Sequence, residues 1–288
     1  MKDYALLTAS VVLLALDFAV AKFYQQKFGA TPAQGLKFNA LLGLFSAAVF
    51  FAFSGFKLEF SAFSALMAAG TAVLATAYTI IGFRIMSGEK MAMYTVFLMT
   101  GGMTVPYIWG LVFLGEPFSW LRTAGLVVIA AAVVIINADR SKADARQIIM
   151  CVCVFFLNGF VSVLSKEHQI NPQSVSSANF VVLTGLAKAI ICAAALPFFR
   201  DKSATKEKRS RSYLAPVLIL ASAVISGSSF LLQLISAKNL PATVMYPIVT
   251  GGSIVFSAIA GRIFFKEKAS RRLVAGIIMC LAGTCLFL

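Results

Sequence analysis

Charge is what this 288-residue sequence has least of, with Asp, Glu, Lys and Arg together making up 12% of it. A soluble domain carries about a quarter, so too few ionic side chains are present to clothe a water-soluble body. Histidine occurs once, as His168. No GxxxxGK(S/T), HExxH, GxSxG or CxxC spacing occurs, and no Ser-His-Asp set is implied, which leaves catalysis and nucleotide-driven work without a sequence basis. Cys151, Cys153, Cys192, Cys280 and Cys285 all fall in apolar runs. Cys151 and Cys153 have no matching pair elsewhere, so the five read as small buried hydrophobes rather than metal or redox ligands. Neither a metal nor a cofactor is expected.

Apolar residues make up 60% of the sequence, 26 of them Phe, and the mean hydropathy is +0.89. Lipid must therefore cover most of the outside. The net charge of +14 lies in short gaps between apolar runs, with no continuous basic face. Anionic headgroups are the expected partner and nucleic acid is not. A span needs roughly 20 mainly apolar residues. Ten such runs can be drawn, near 3–22, 34–54, 61–83, 91–114, 121–138, 147–166, 175–197, 213–235, 241–264 and 271–288. They are too long, and too free of two-residue alternation, for barrel strands. The first run lacks a small-residue cleavage pattern, so it reads as a span rather than a signal peptide.

Two stretches 150 residues apart read alike: GGMTVPYIWGLVFLGEPFSWLRTAG from Gly101 to Gly125, and GGSIVFSAIAGRIFFKEKASRRLVAG from Gly251 to Gly276. More weakly, DFAVAK at Asp17–Lys22 matches GFVSVLSK at Gly159–Lys166. TPAQGLKFN from Thr31 likewise matches NPQSVSSANF from Asn171. Five spans per half is an odd number, so the second half enters the membrane from the opposite side, an inverted repeat. Such repeats build a central site that can face either side in turn. Of the basic residues, Lys2, Lys57, Arg122, Lys166 and Lys238 fall on the side bearing both termini, against nineteen on the other. The positive-inside rule then puts both termini outside.

Ionisable residues at bilayer depth are functional candidates. Asp17, two-thirds through the first span, is read as a substrate or proton-coupling group, with pairing to Lys22 as the structural alternative. Lys188 lies deep in span seven, where its stem can reach the interface. His168, at a helix end, reads as solvated or capping. A pocket is assembled from Asp17, Tyr78, Tyr94, Tyr107, Asn158, Gln233, Tyr246 and Thr250, whose amides, hydroxyls and rings suit a small polar or amphipathic solute. Gly101, Gly102, Gly251 and Gly252 allow close helix approach, and Pro106 and Pro247 permit kinks, so these six form a gating or packing set. Glu116 with Arg122, and Glu267 with Arg271, are read as ion pairs across the tight turns.

The chain resembles the drug/metabolite transporter superfamily, in its ten-span branch with two EamA domains. The resemblance rests on Phe113-Leu114-Gly115-Glu116 followed by Gly125, and Phe265-Lys266-Glu267 followed by Gly276. Lys37-Phe38 and Pro247 add to it; the first half has Phe97 at the position of that proline, and its nearest proline is Pro106. The resemblance implies domains at 3–138 and 147–288, and an all-α bundle with a pocket lined by spans one, three, four, six, eight and nine. It also implies both termini in the cytoplasm, against the charge count. The function expected is a multi-pass secondary carrier of the cytoplasmic membrane, a monomer or homodimer. It would move an amino acid, nucleoside or drug-like solute by alternating access, as an exporter, with protons as a candidate coupling ion. The alternative is a scramblase-like lipid carrier.

Overall fold

The computed structural model describes residues 2–29, 31–86, 91–136, 144–199, 213–266 and 270–287. Within them the chain is all-helical: α1 (Lys2–Phe28), α2 (Pro32–Phe53), α3 (Ala62–Met86), α4 (Met91–Val112), α5 (Trp120–Ile136), α6 (Ala145–Ile170), α7 (Ser177–Ala195), α8 (Leu214–Asn239), α9 (Ala242–Phe265) and α10 (Arg271–Cys285). Eight are long and apolar enough to cross a bilayer. The others, α5 and α10, have 17 and 15 described residues, short of the roughly 20 that a span needs. Their sequences explain the starts of two helices. Thr31 and Gln34 form a reciprocal capping box with Pro32 just inside α2, and Ser270 accepts from the Leu273 N–H to open α10. Large apolar side chains point outward along the bundle, as at Leu66, Val127, Ile190 and Ile278. Exposed aromatics cluster at its two ends, Phe53, Phe56 and Trp120 at one and Phe198 and Tyr213 at the other. That distribution suits lipid around the middle and headgroups at the rims. The protein is a multi-pass membrane protein.

The packing obeys one internal symmetry. Helix α1 packs on α8 as α6 packs on α3; α4 packs on α6 as α9 packs on α1; and α2·α7, α4·α9 and α5·α10 are each their own counterparts. Side chains sharpen this to the residue. A Cβ on Gly125 would meet the Gly283 carbonyl, and one on Gly276 would approach the Ala132 carbonyl. Each residue of the second pair is its counterpart in the first displaced by 151 positions. Glu116 and Glu267 share that register, whereas Gly101 matches Gly252 and not Gly251. The paired glycines of the sequence are therefore one residue out of structural alignment.

The turns confirm which helix ends share a face. The Glu59 carboxylate accepts from the Ser176 N–H (2.6 Å), Ser61 donates to the Gln173 carbonyl (2.7 Å), and Asn239 donates to Asp3 (3.1 Å). These contacts bring the α2–α3 turn to the α6–α7 turn, and the end of α8 to the start of α1. All lie on the face carrying the N-terminus, termed here the terminal face. The two halves thus enter from opposite sides.

Burial is uneven between the faces. The buried positions of α1 are Leu7, Ser10, Val11 and Ala15, all in its first half. In α9 the unbroken run Ala242–Ile248 is buried, and in α6 the cluster Ser165, Lys166, His168 and Gln169 lies at its C-terminal end. All three regions lie toward the terminal face. The bundle is tight there and looser toward the opposite face.

Candidate functional site

Between the two repeats lies a cavity of about 360 Å³, lined by residues of α1, α3, α4, α6, α8 and α9. Close packing of α4 on α6 shapes one wall. A Cβ on Gly101 would fall within 2.7 Å of the backbone of Phe155, and one on Gly102 would meet the Asn158 amide at 2.6 Å. The bare glycines let Asn158 Nδ2 reach the Leu98 carbonyl (2.8 Å) and Ser162 Oγ reach that of Gly102 (3.3 Å). From the other side, the Tyr246 hydroxyl donates to the Ser162 carbonyl (2.5 Å), tying α9 to α6.

The polar lining follows one pattern. Asn158, Ser162 and Ser165 on α6, Ser226, Ser229 and Gln233 on α8, and Tyr246, Thr250 and Ser253 on α9 all face the cavity. Each triplet is spaced four then three, or three then four, which keeps it on one helical stripe. The serines were not singled out from sequence, although that spacing was there to be read. The first repeat supplies Leu14, Phe18, Tyr78, Leu98, Met99 and Gly102, a wall whose one side-chain hydrogen-bonding group is the Tyr78 hydroxyl. Among the lining residues none is charged.

Of the eight residues assembled from sequence, Tyr78, Asn158, Gln233, Tyr246 and Thr250 line this cavity. Tyr94 instead packs beside Gly82 and the cluster around Ile85 and Cys151. Tyr107 is buried at the α4–α5 junction, its hydroxyl 2.8 Å from that of Thr123. Asp17 lies one residue before the cavity-lining Phe18. It accepts from Ser222 Oγ on α8 and is within electrostatic reach of Lys188 on α7. Lys22, weighed as its partner, stands 4.7 Å over the Phe265 ring. Of the gating set, Gly102 faces the cavity, Gly251 is set against Thr284 and Cys280 of α10, and Gly252 against Val11 of α1. Pro106 and Pro247 both sit inside continuous helices, α4 and α9.

Two expectations need correcting. Glu116 does not spend its carboxylate on Arg122: Oε1 accepts from the Ala242 N–H (2.6 Å) and Oε2 from the Thr243 N–H (2.8 Å). A carboxylate at the start of α9 satisfies two donors that a helix leaves open and meets the positive end of its dipole. Gly110 makes room for it, since a Cβ there would touch Glu116 Oε2 at 2.7 Å. Glu267, expected to pair with Arg271, lies outside the described residues. His168 is fully buried rather than solvated. Its ring stacks on Phe180 at 3.6 Å between centroids, Nε2 is 2.9 Å from Ser64 Oγ, and Nδ1 is 2.7 Å from Gln169 Nε2. Beside it Lys166, 5% exposed, donates to the Ala237 and Leu240 carbonyls at 2.6 and 2.7 Å.

A helical membrane bundle of two inverted halves around a central polar cavity is the architecture of a carrier. The chain belongs to the EamA-like transporter family, whose model matches residues 145–288. A solved structure titled "Crystal structure of protein" is similar over 97% of this chain and 95% of its own, with a TM-score of 0.79 and 14% identity, which establishes the shared fold. No curated protein matches the chain.

Proposed function

We propose that the protein is a secondary carrier of a small amphipathic solute, working by alternating access in the cytoplasmic membrane, in the direction of export. The first repeat, residues 3–138, is read as a second EamA domain facing the one at 147–288, which falls within the matched residues 145–288. The observation that carries the reading is the cavity between the repeats, with hydroxyls and amides on the stripes of α6, α8 and α9 opposite a mainly apolar wall from α1 and α4. Tyr78, Asn158, Gln233, Tyr246 and Thr250 are its solute contacts in this reading. A net charge entering there would find no lining counter-charge and would remain costly. Solutes that are neutral overall, with one hydrogen-bonding face and one apolar face, suit it best.

Asp17 is the coupling group in this scheme. It stands beside the cavity rather than in it, held by Ser222 and within electrostatic reach of Lys188. Proton uptake there can alter how α1 meets α8 without the proton competing for the solute's place. Reconstitution into vesicles with labelled nucleosides, amino acids and lipids, with and without a pH gradient, tests the proposal. Saturable solute uptake is expected; lipid movement with no saturable uptake would replace it with the lipid-carrier alternative.

A further inference from the structure

We infer that Glu116 and Lys166 form the latch of the terminal mouth, holding it shut by gripping the two sides of the α8–α9 turn. Lys166, on α6, binds carbonyls at the end of α8; Glu116, just beyond α4, binds N–H groups at the start of α9. Each charge meets the helix end that suits its sign. Because α4 and α6 are packed through Gly101 and Gly159, the two residues act from one rigid support. Beneath the turn lie Ser165, Ala237, Met245 and Tyr246, the cavity lining nearest that face. The cavity cannot open to the terminal face while α8 and α9 stay bound there.

The same chemistry supplies a second resting arrangement. Glu116 already acts electrostatically on Lys166. When the turn moves away, the two side chains lose backbone partners but gain each other, so neither charge is left unpaired at a buried site. That gives the mouth two discrete states instead of a graded one. Lys22 is the register match of Lys166 in the first repeat, 144 positions earlier. At the opposite, loosely packed face its ammonium stands over the Phe265 ring.

The test needs no known solute, so it fails or succeeds independently of the transport proposal. Met245→Cys is placed in a chain whose exposed Cys153 and Cys285 are serine, and labelled with a membrane-impermeant maleimide from each face of the membrane. Lys166→Met and Glu116→Gln should each raise labelling from the terminal face by at least about tenfold, with no rise from the opposite face. The double variant should add little, because both residues hold one element. The charge-reversed chain, Glu116→Lys with Lys166→Glu, restores mutual attraction but sets each group against the wrong helix end, so labelling should stay high. Unchanged terminal labelling in both single variants, an equal rise from both faces, or recovery of the parent rate by charge reversal would each overturn the latch.

Discussion

Replacing Gly101 by alanine adds one methyl group where the structure has least room for it. The new carbon would meet the Phe155 carbonyl oxygen, and would lie 2.6 Å from its Cα and 2.7 Å from its carbonyl carbon. These are backbone atoms and cannot swing aside, so α4 and α6 must part by about 1 Å to regain ordinary contact. Overpacking of this kind costs about 1–3 kcal/mol. Parting the helices also weakens the bonds from Asn158 to Leu98 and from Ser162 to Gly102, at about 0.5–1.5 kcal/mol each. Alanine's better helix propensity returns about 1 kcal/mol. The net expectation is a loss of about 1–5 kcal/mol, by difference of these ranges. Gly70→Ala is the control, because its methyl would meet the tip of the Leu164 side chain at 3.2 Å, which can move. Reversible unfolding in detergent or bicelles, both variants beside the parent, measures the difference. Equal stability for Gly101→Ala and Gly70→Ala would refute the claim that close backbone approach joins α4 to α6.

Three further outcomes are expected. Asp17→Asn should abolish stimulation of transport by a pH gradient while leaving solute exchange intact; unchanged stimulation in vesicles rejects the coupling role. His168→Ala should lower unfolding stability by about 2–4 kcal/mol through lost packing and orphaned partners, with solute affinity unaltered in a direct binding titration. Tyr246→Phe should cost about 0.5–1.5 kcal/mol for the bond to Ser162 and keep solute binding. Tyr246→Ala should lose that binding, and equal affinity in the two variants would remove the ring from the pocket wall.

The inverted repeat was legible because matched helices need matched small residues at matched crossings. Gly125 and Gly276 recur in one register, and their neighbours across α5·α10 are symmetric to the residue. The six helices around the cavity followed from the resemblance, and Tyr78, Asn158, Gln233, Tyr246 and Thr250 do line it. The partners of charged groups were much less visible. Glu116 was assigned to Arg122, six residues on, but binds 126 and 127 residues away. Local spacing favours the near partner, and only the fold brings the start of α9 within reach. His168 misled for a similar reason: a helix end suggests water, but here the α6–α7 turn is covered by α3 and its Ser64. The serine stripes were missed through reading polar residues singly, when their spacing along α6, α8 and α9 carried the signal.

One crossing is shared by both halves. A Cβ on Gly43 of α2 would touch the Gly185 carbonyl of α7 at 2.6 Å, and one on Gly185 would touch the Gly43 carbonyl at 2.7 Å; Ala189 and Ala47 flank them in the same sense. Exchanging the roles of the halves carries this contact onto itself. In the alternating access proposed above, α2 and α7 can keep the same grip whichever way the cavity faces, which makes this crossing the fulcrum of that scheme. A bulky residue at Gly43 or Gly185 should accordingly impede travel both ways without biasing where the molecule comes to rest.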